Sequence, residues 1–337
     1  MADYFENVAS NAGELLGVDK ARRFSGLSGY KKLLESGVEA VAIEDVPCFY
    51  PEQAKAAVDA GLHVYMAKPV AVDVPGTLLI GESGKRATQK KLCFLVDYQL
   101  PSDPAMIEIA KRVREGALGP LAHIASFGFG WHAWPDPPLE KTIESRLQKQ
   151  IWLSDTALSG DTIASYDIHI IDGILAVIGK RPVAASGYSR TCRPNPHGDR
   201  TDAAAVVYEH EDGVIWTHVT QALDNNFDIT TLSASIFGMK ATAHIQYGGK
   251  VYIRGGDKHY VGNIGSVFTD GVERNITDFY ASVTEGRFEN PTVQRAMDGT
   301  LTAILGREAA ARRRYLTMEE LIKENKELKV DLTGLKA

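Results

Sequence analysis

The sequence has 337 residues, a formal net charge of −6, and a composition 44% hydrophobic and 24% charged. This is an ordinary globular composition, long enough for two domains because single hydrophobic cores stop growing near ~250–300 residues. The charge argues against nucleic acid or an anionic membrane surface as the main partner, and no run of 18 apolar residues is present to span a bilayer.

Cys48, Cys93 and Cys192 are scattered, with neither metal-ligand spacing nor a disulfide framework. A reducing, cytoplasmic compartment and no metal site are therefore expected. The first thirty residues hold Asp3, Glu6 and Glu14 without an apolar core of an export signal; an export signal further upstream stays open.

In chain order, Phe5, Val8, Ala12, Leu15 and Leu16 form one apolar helical stripe. Residues 38–43 read as a strand, and 51–60 as a helix opened by proline. A strand at 63–66, a helix after Pro75, a strand at 92–96 and a helix over 103–115 follow, the last capped by Asp103. This alternation predicts a parallel sheet wrapped by helices. Beyond residue 120 the pattern becomes successive strands at 124–130, 182–190, 203–209, 214–221, 230–237, 242–246 and 250–254. Their short connections predict a large, mostly antiparallel sheet. Helices at 161–178 and 291–313 punctuate it, with Arg312, Arg313 and Arg314 complementing the dipole at the end of the second.

The predicted fold is thus a doubly wound α/β domain over residues 1–120, followed by an α+β domain over 121–337 whose C-terminal helices can pack back on the first. A dinucleotide-binding domain of this kind carries G-x-G-x-x-G after its first strand and an acidic residue about 20 positions later. Gly128-Phe129-Gly130 leads into a proline-rich stretch that cannot open a helix, so it is not that loop. Asp3, just before the first amphipathic helix, can be a helix cap or the ribose-binding acid. The second choice places the glycine loop before residue 1, and with it the central strand of the sheet. The chain is then expected to be truncated at its N-terminus, and to fold poorly there or leave a cleft where that strand belongs.

Two segments could carry chemistry. His63-Val64-Tyr65-Met66-Ala67-Lys68-Pro69 runs a strand into a lysine at the carboxyl end of the sheet, where ligands of open sheets bind. There it could hydrogen-bond a substrate hydroxyl, or it could simply face water. Gly160 to Asp172 places His169 on an apolar helix, with Ser165 and Asp172 on the same face. A neighbouring carboxylate can fix an imidazole's tautomer, so His169 reads as a general base or as a core histidine. Trp131, His132 and Trp134 could stack on a sugar ring or merely cover the sheet.

Together these features resemble the glucose-fructose oxidoreductase/inositol dehydrogenase/MocA family along essentially the whole chain. Residues 60–69 resemble its A-G-K-H-V…E-K-P motif, and 160–172 its D-x-G-x-H-x-x-D helix. Gly116 to Pro120 resembles its domain junction, and Asn290-Pro291 its closing segment. The resemblance implies a Rossmann domain plus an open-faced sheet, and NAD or NADP as cofactor. It also implies oxidation or reduction of a sugar or polyol and homo-oligomers, dimers or tetramers, formed through the open sheet. It makes Lys68 and His169 catalytic, with Asp167 a substitute for the acid missing at Ser165. It gives cofactor contacts to Asp3, Asp45, Val46, Pro47 and Lys68, and substrate contacts to Trp131, His132, Trp134 and Asp172. The chain departs from the family at the glycine loop, at Ala67 where the motif has glutamate, at Val46-Pro47 where it has Thr-Pro, and at Ser165. These departures leave two further readings: a sugar-binding or scaffold relative that has lost the cofactor, and glycoside cleavage through transient oxidation.

Overall fold

The computed structural model describes residues 1–130, 136, 138–139, 141–225 and 231–337. The first part alternates strand and helix: β1 (Ala2–Asp3), α1 (Glu6–Leu15), β2 (Phe24–Ser25), α2 (Gly29–Leu34), β3 (Ala40–Ile43), α3 (Tyr50–Asp59), β4 (His63–Ala67), α4 (Val74–Gln89), β5 (Phe94–Asp97) and α5 (Pro104–Arg114). Aspartates start two of the helices. Asp73 Oδ1 accepts from Gly76 N at 2.9 Å, and Asp103 Oδ1 from Ala105 N at 2.9 Å, each just ahead of a proline. The Asp103 cap is the one expected, because Pro104 lacks the N–H that the first turn leaves unpaired.

The parallel sheet is divided. β1 pairs only with β2, and β3, β4 and β5 form a separate three-stranded sheet in that order. In the doubly wound order 3-2-1-4-5-6 the boundary between the two pieces is the place of the central strand. Among the described residues no ladder crosses this boundary, a break in the pairing of the parallel strands. It leaves β3 with an open edge, and Ala40 and Ala42 are exposed between buried Val41 and Ile43. The other edge is closed. Phe94 N donates to Asn290 Oδ1 at 2.7 Å and Val96 N to Thr292 Oγ1 at 3.0 Å, so side chains stand in for a further strand on β5.

The second part is built on a nine-stranded sheet, ordered β13-β12-β11-β10-β6-β9-β8-β7-β14. Its strands are β6 (Leu121–Phe129), β7 (Ala184–Arg190), β8 (Ala203–Glu209), β9 (Ile215–Gln221), β10 (Thr231–Gly238), β11 (Thr242–Gln246), β12 (Lys250–Arg254), β13 (Tyr260–Asn263) and β14 (Leu316–Thr317). Only the β6–β9 pair is parallel. One face is buried, by Ile124, Val206, Trp216 and Ile236 among others, and the opposite face exposes Phe127, Val207, Ile215, Val219 and Phe237. The remaining helices are α6 (Ile143–Leu147), α7 (Thr156–Ser159), α8 (Ile168–Ile178), α9 (Val272–Glu285), α10 (Pro291–Arg312) and α11 (Met318–Glu324).

The 22-residue α10 joins the two parts. It is buried along residues 299–310 and approaches α4 closely, where a side chain at Gly84 would lie 2.7 Å from Val293 Cγ1. At its end, Arg312 pairs with Glu308 and Glu324, and just beyond it Arg314 pairs with Glu320 and Glu324, so these cations bind carboxylates on α10 and α11.

Two expectations from periodicity change. On α1 much of the apolar stripe faces outward: Val8, Leu15 and Leu16 are exposed, while Phe5 joins an apolar cluster with Val46. Ala9 and Gly13 face inward, Gly13 lying against the Arg23 side chain. α9 is an element the sequence reading passed over. Its Phe279 and Val283 cover Tyr65, Cys93 and Leu95 on the outer face of the parallel sheet.

An open β3 edge beside a closed β5 edge is measurable. Native-state hydrogen exchange is expected to give residues 40–43 markedly lower protection than residues 94–97. Equal protection would mean that another segment pairs along β3.

Candidate active site between the two sheets

β4 ends at Ala67, and Lys68 follows at the carboxyl end of the parallel strands, joined to Pro69 by a cis peptide bond. The loop after it is fastened to the second sheet's helix by α10: Arg307 Nη1 donates to Val72 O at 2.8 Å and to Gly160 O at 3.1 Å. Gly160 takes a left-handed φ of +85°, and a side chain there would crowd Ala164. From it the chain enters one wide π-type turn, Ile163–Asp167, before α8 begins. Such turns redirect backbone groups and recur at functional sites. Here the carbonyl of Ser165 turns to Lys68, whose Nζ donates to it at 2.7 Å.

The motifs on β4 and α8, a hundred residues apart, therefore meet. Burial holds the Lys68 ammonium down to about 8 from its ordinary 10.5, with Asp97 and Glu44 pulling the other way. His169 lies half-buried in α8 with its ring 4.7 Å from that of Tyr247, centroid to centroid. Burial keeps its imidazole well below the ordinary 6.5, and the Lys68 charge adds to that effect. Among the described residues Nδ1 has no hydrogen-bond partner. The result is a neutral imidazole with an open nitrogen beside an ammonium donor, an arrangement able to accept a proton from a polarised hydroxyl.

The other predicted residues separate from this pair. Asp167, two positions before His169, cannot share its helix face and turns into the second sheet. Its Oδ2 lies 3.0 Å from Nε2 of fully buried His218. Trp216 Nε1 donates to Ser126 Oγ at 2.7 Å, and Ser126 Oγ lies 2.8 Å from His218 Nδ1, so one buried hydrogen-bonded chain runs from Trp216 through Ser126 and His218 to Asp167. Gly128 makes room for this carboxylate, since any side chain there would collide with Oδ1. Asp172 Oδ1 accepts from Arg295 Nε at 2.8 Å, which ties α8 to α10. Trp131, His132 and Trp134 lie outside the described residues.

Around the cleft between the parallel sheets, Asp3 Oδ1 accepts from Phe5 N at 2.7 Å at the start of α1. Burial raises its carboxyl, and the neighbouring Asp45 charge adds to this. Asp45 accepts from Val46 N at 2.7 Å and from Gln53 Nε2 at 2.6 Å, while Val46 and Pro47 are buried. Asp3 and Asp45 thus face one another from the two sides of the divided sheet. The C-terminal segment crosses the same side. Leu328 N donates to Asp73 Oδ2, Lys336 N donates to Tyr4 Oη, and Leu27 N donates to Lys336 O. Val330, Leu332 and Leu335 pack on a cluster containing Val46 and Phe5.

Residues that the sequence reading missed are Glu44 and Asp97 at the ends of β3 and β5, Tyr247, and the donors around Asp97. Asn275 Nδ2 donates to Asp97 Oδ1, Gln99 Nε2 donates to Oδ2 at 3.2 Å, and Tyr247 Oη donates to Gln99 Oε1 at 3.2 Å. A search for polar residues at every parallel strand end would have found Glu44 and Asp97. Nothing local marks Tyr247, which sits in a turn between β11 and β12.

Residues 106–244 match the profile of the GFO/IDH/MocA C-terminal domain. Among solved structures, the chain is similar to an oxidoreductase domain protein from Kribbella flavida at 18% identity, with a TM-score of 0.74 over 94% of this chain and 89% of that one. A putative myo-inositol dehydrogenase from Sinorhizobium meliloti 1021 matches at 16% identity and a TM-score of 0.68, over 94% and 90%. Levoglucosan dehydrogenase in complex with NADH and levoglucosan matches at 17% and 0.75, over 94% and 89%. At these identities the likeness establishes the fold, with the Rossmann-plus-sheet arrangement expected from the sequence. Among the described residues no helix is long and apolar enough to cross a membrane.

The buried ammonium has a thermodynamic signature. With its folded value near 8 and its ordinary value 10.5, Lys68 binds its proton more tightly in the unfolded chain. The penalty is full below pH 8 and fades as the pH rises toward 10.5. Lys68→Met is expected to exceed the native chain in stability at pH 7 by up to about 3 kcal/mol, with the advantage gone above pH 10.5. Urea unfolding at both pH values reads it, and a variant no more stable at pH 7 would place the charge in water.

Proposed function

From the match of residues 106–244 to the GFO/IDH/MocA C-terminal domain, we propose that the chain is a nicotinamide-dependent oxidoreductase of that family acting on a hydroxyl of a sugar or polyol. The observation that carries this reading is the meeting of Lys68 with the helix of His169, an ammonium donor beside a neutral imidazole with an open nitrogen. The substrate class is supported by the likeness to proteins named for inositol and levoglucosan, the second seen with NADH.

In this reading Lys68 donates to the substrate oxygen and steadies negative charge as the hydroxyl loses its proton. His169 accepts that proton, and its low basicity keeps it ready at neutral pH. Tyr247 fixes the ring from the side of the second sheet. The hydride is exchanged with a nicotinamide dinucleotide when one is bound. The residues present fit parts of such a group. Asp3 and Asp45, close enough for their charges to interact, would hold its ribose hydroxyls, and Val46, Pro47 and Lys68 would complete the contacts. For the pyrophosphate, the described residues supply no G-x-G-x-x-G turn into a helix, so no contact to it is assigned. The exposed apolar face of the large sheet, with Phe127, Val207 and Val219, supports association with a second copy of the chain.

A second reading, a sugar-binding relative without the cofactor, is favoured by one observation. The C-terminal segment runs past the ends of β1, β2 and β3, on the side where a dinucleotide would lie.

Titration with NADH followed by protein fluorescence, then turnover on a panel of polyols and anhydrosugars, separates the two. Saturable NADH binding is expected, with His169→Asn lowering turnover by roughly 10²–10⁴-fold. The acid limb of the native pH profile should lie well below 6.5. Binding of sugar without NADH would favour the second reading, and an undiminished rate in His169→Asn would remove the assigned base.

A further inference from the structure

Between α7 and the wide turn the chain reverses through two successive left-handed residues, Gly160 at φ +85° and Asp161 at φ +72°. Glycine takes that conformation freely. A residue with a side chain is held there at a cost, and persists where its surroundings fix it. Aspartate is among the types that tolerate it best, and Asp161 is buried.

Three donors fix its carboxylate. Oδ1 accepts from Thr162 N at 2.6 Å and from Thr201 N at 3.2 Å, and Oδ2 accepts from Thr201 Oγ1 at 2.7 Å. Thr162 Oγ1 returns a bond to Thr201 O at 3.2 Å. The start of the turn is thereby lashed to the connection between β7 and β8, which carries Thr201. On its other side Arg307 Nη1 holds Gly160 O at 3.1 Å. The Asp161 carbonyl accepts from Ser165 Oγ at 2.8 Å, and Ser165 O accepts from Lys68 Nζ at 2.7 Å. One run of direct contacts therefore leads from Thr201 through Asp161 and Ser165 to the Lys68 ammonium.

We propose that Asp161 is a positioning residue for Lys68: its carboxylate sets the turn that aims the Ser165 carbonyl, and so fixes where the ammonium sits. The carboxylates whose charges bear on Lys68 are Asp97 and Glu44, so Asp161 acts through its bonds rather than through its charge. An ammonium held by a neutral carbonyl keeps two further N–H donors to offer a substrate. The inference deepens the oxidoreductase reading and rests on it, because that reading requires a donor held in one place beside His169.

Competitive labelling with acetic anhydride across a pH series, read by peptide mass spectrometry on the full chain, measures the proton affinity of Lys68 without any cofactor. Asp161→Gly leaves the left-handed backbone accessible and removes the carboxylate. It is expected to lower the affinity about tenfold, because the buried ammonium loses its aimed acceptor. Asp161→Asn keeps an acceptor for both amides and can donate to the Thr201 hydroxyl, so it is expected to match the native chain. Should Asp161→Gly fail to fold, Thr201→Val is expected to lower the affinity in the same direction and Thr201→Ser to restore it; an unchanged value in Thr201→Val then overturns the proposal. Unchanged affinity in Asp161→Gly, or an equal loss in Asp161→Asn, overturns it as well. So does a rise toward the ordinary 10.5, which would mean that the turn opens to water and that Asp161 serves the fold alone. Failure of the native chain to turn over any polyol with NAD or NADP strikes the oxidoreductase reading instead, in a separate assay.

Discussion

A buried ammonium at the seam of two sheets constrains this molecule more than any other single group. Lys68 cannot be left in a low-dielectric site without an acceptor and nearby negative charge. The fold supplies both from elements far apart in sequence. The acceptor is a backbone carbonyl, Ser165 O, presented by a wide turn that α10 fastens through Arg307. The negative charge comes from the ends of β3 and β5. The neutral state of His169 follows from the same arrangement, since burial and the Lys68 charge both disfavour a second cation beside it.

Much of this was legible in the sequence. A strand running into Lys-Pro, and a histidine on an apolar helix, identified the two segments that meet, and the change of pattern near residue 120 marked the shift from parallel to antiparallel strands. What could not be read were the partners. Asp167 stands two positions before the predicted base in sequence, yet helical geometry sends it the other way, to a histidine 51 residues on. Its place depends on Gly128 in β6, a small residue whose meaning appears only when the strand and helix are packed. Tyr247 likewise reaches His169 through the path of the whole sheet rather than through any local pattern.

Periodicity failed most plainly on α1. An apolar stripe predicts a buried face only if some element covers it, and among the described residues Val8, Leu15 and Leu16 face outward. The helix still has a fixed seat, because Arg23 reaches across Gly13 to the carbonyls of Ser10 and Val18. Side-chain hydrogen bonds to backbone here do what apolar contact was expected to do. The same substitution closes the edge of β5, where Asn290 and Thr292 accept the amides that a further strand would have taken.

The divided parallel sheet raises the question of what joins β1 and β2 to the rest, since no ladder crosses the cleft. The answer lies on the carboxyl-end side. Tyr4, Gly26 and Leu27 belong to the smaller sheet and its turns, while Val46 and Asp73 belong to the larger. The segment from Leu328 to Lys336 bonds to both, through Asp73 at one end and through Tyr4 and Leu27 at the other. Between these points Val330, Leu332 and Leu335 share one apolar cluster with Phe5 and Val46. Apolar burial of this kind is worth ~1.5–3 kcal/mol for each large side chain, enough to hold two sheets that share no strand. The C-terminal segment therefore links the two small sheets, and it does so along the carboxyl-end side, where an open sheet of this type presents its binding surface. The integrity of the first domain and access to its crevice are for that reason governed by the same nine residues, Leu328 to Lys336, beyond α11.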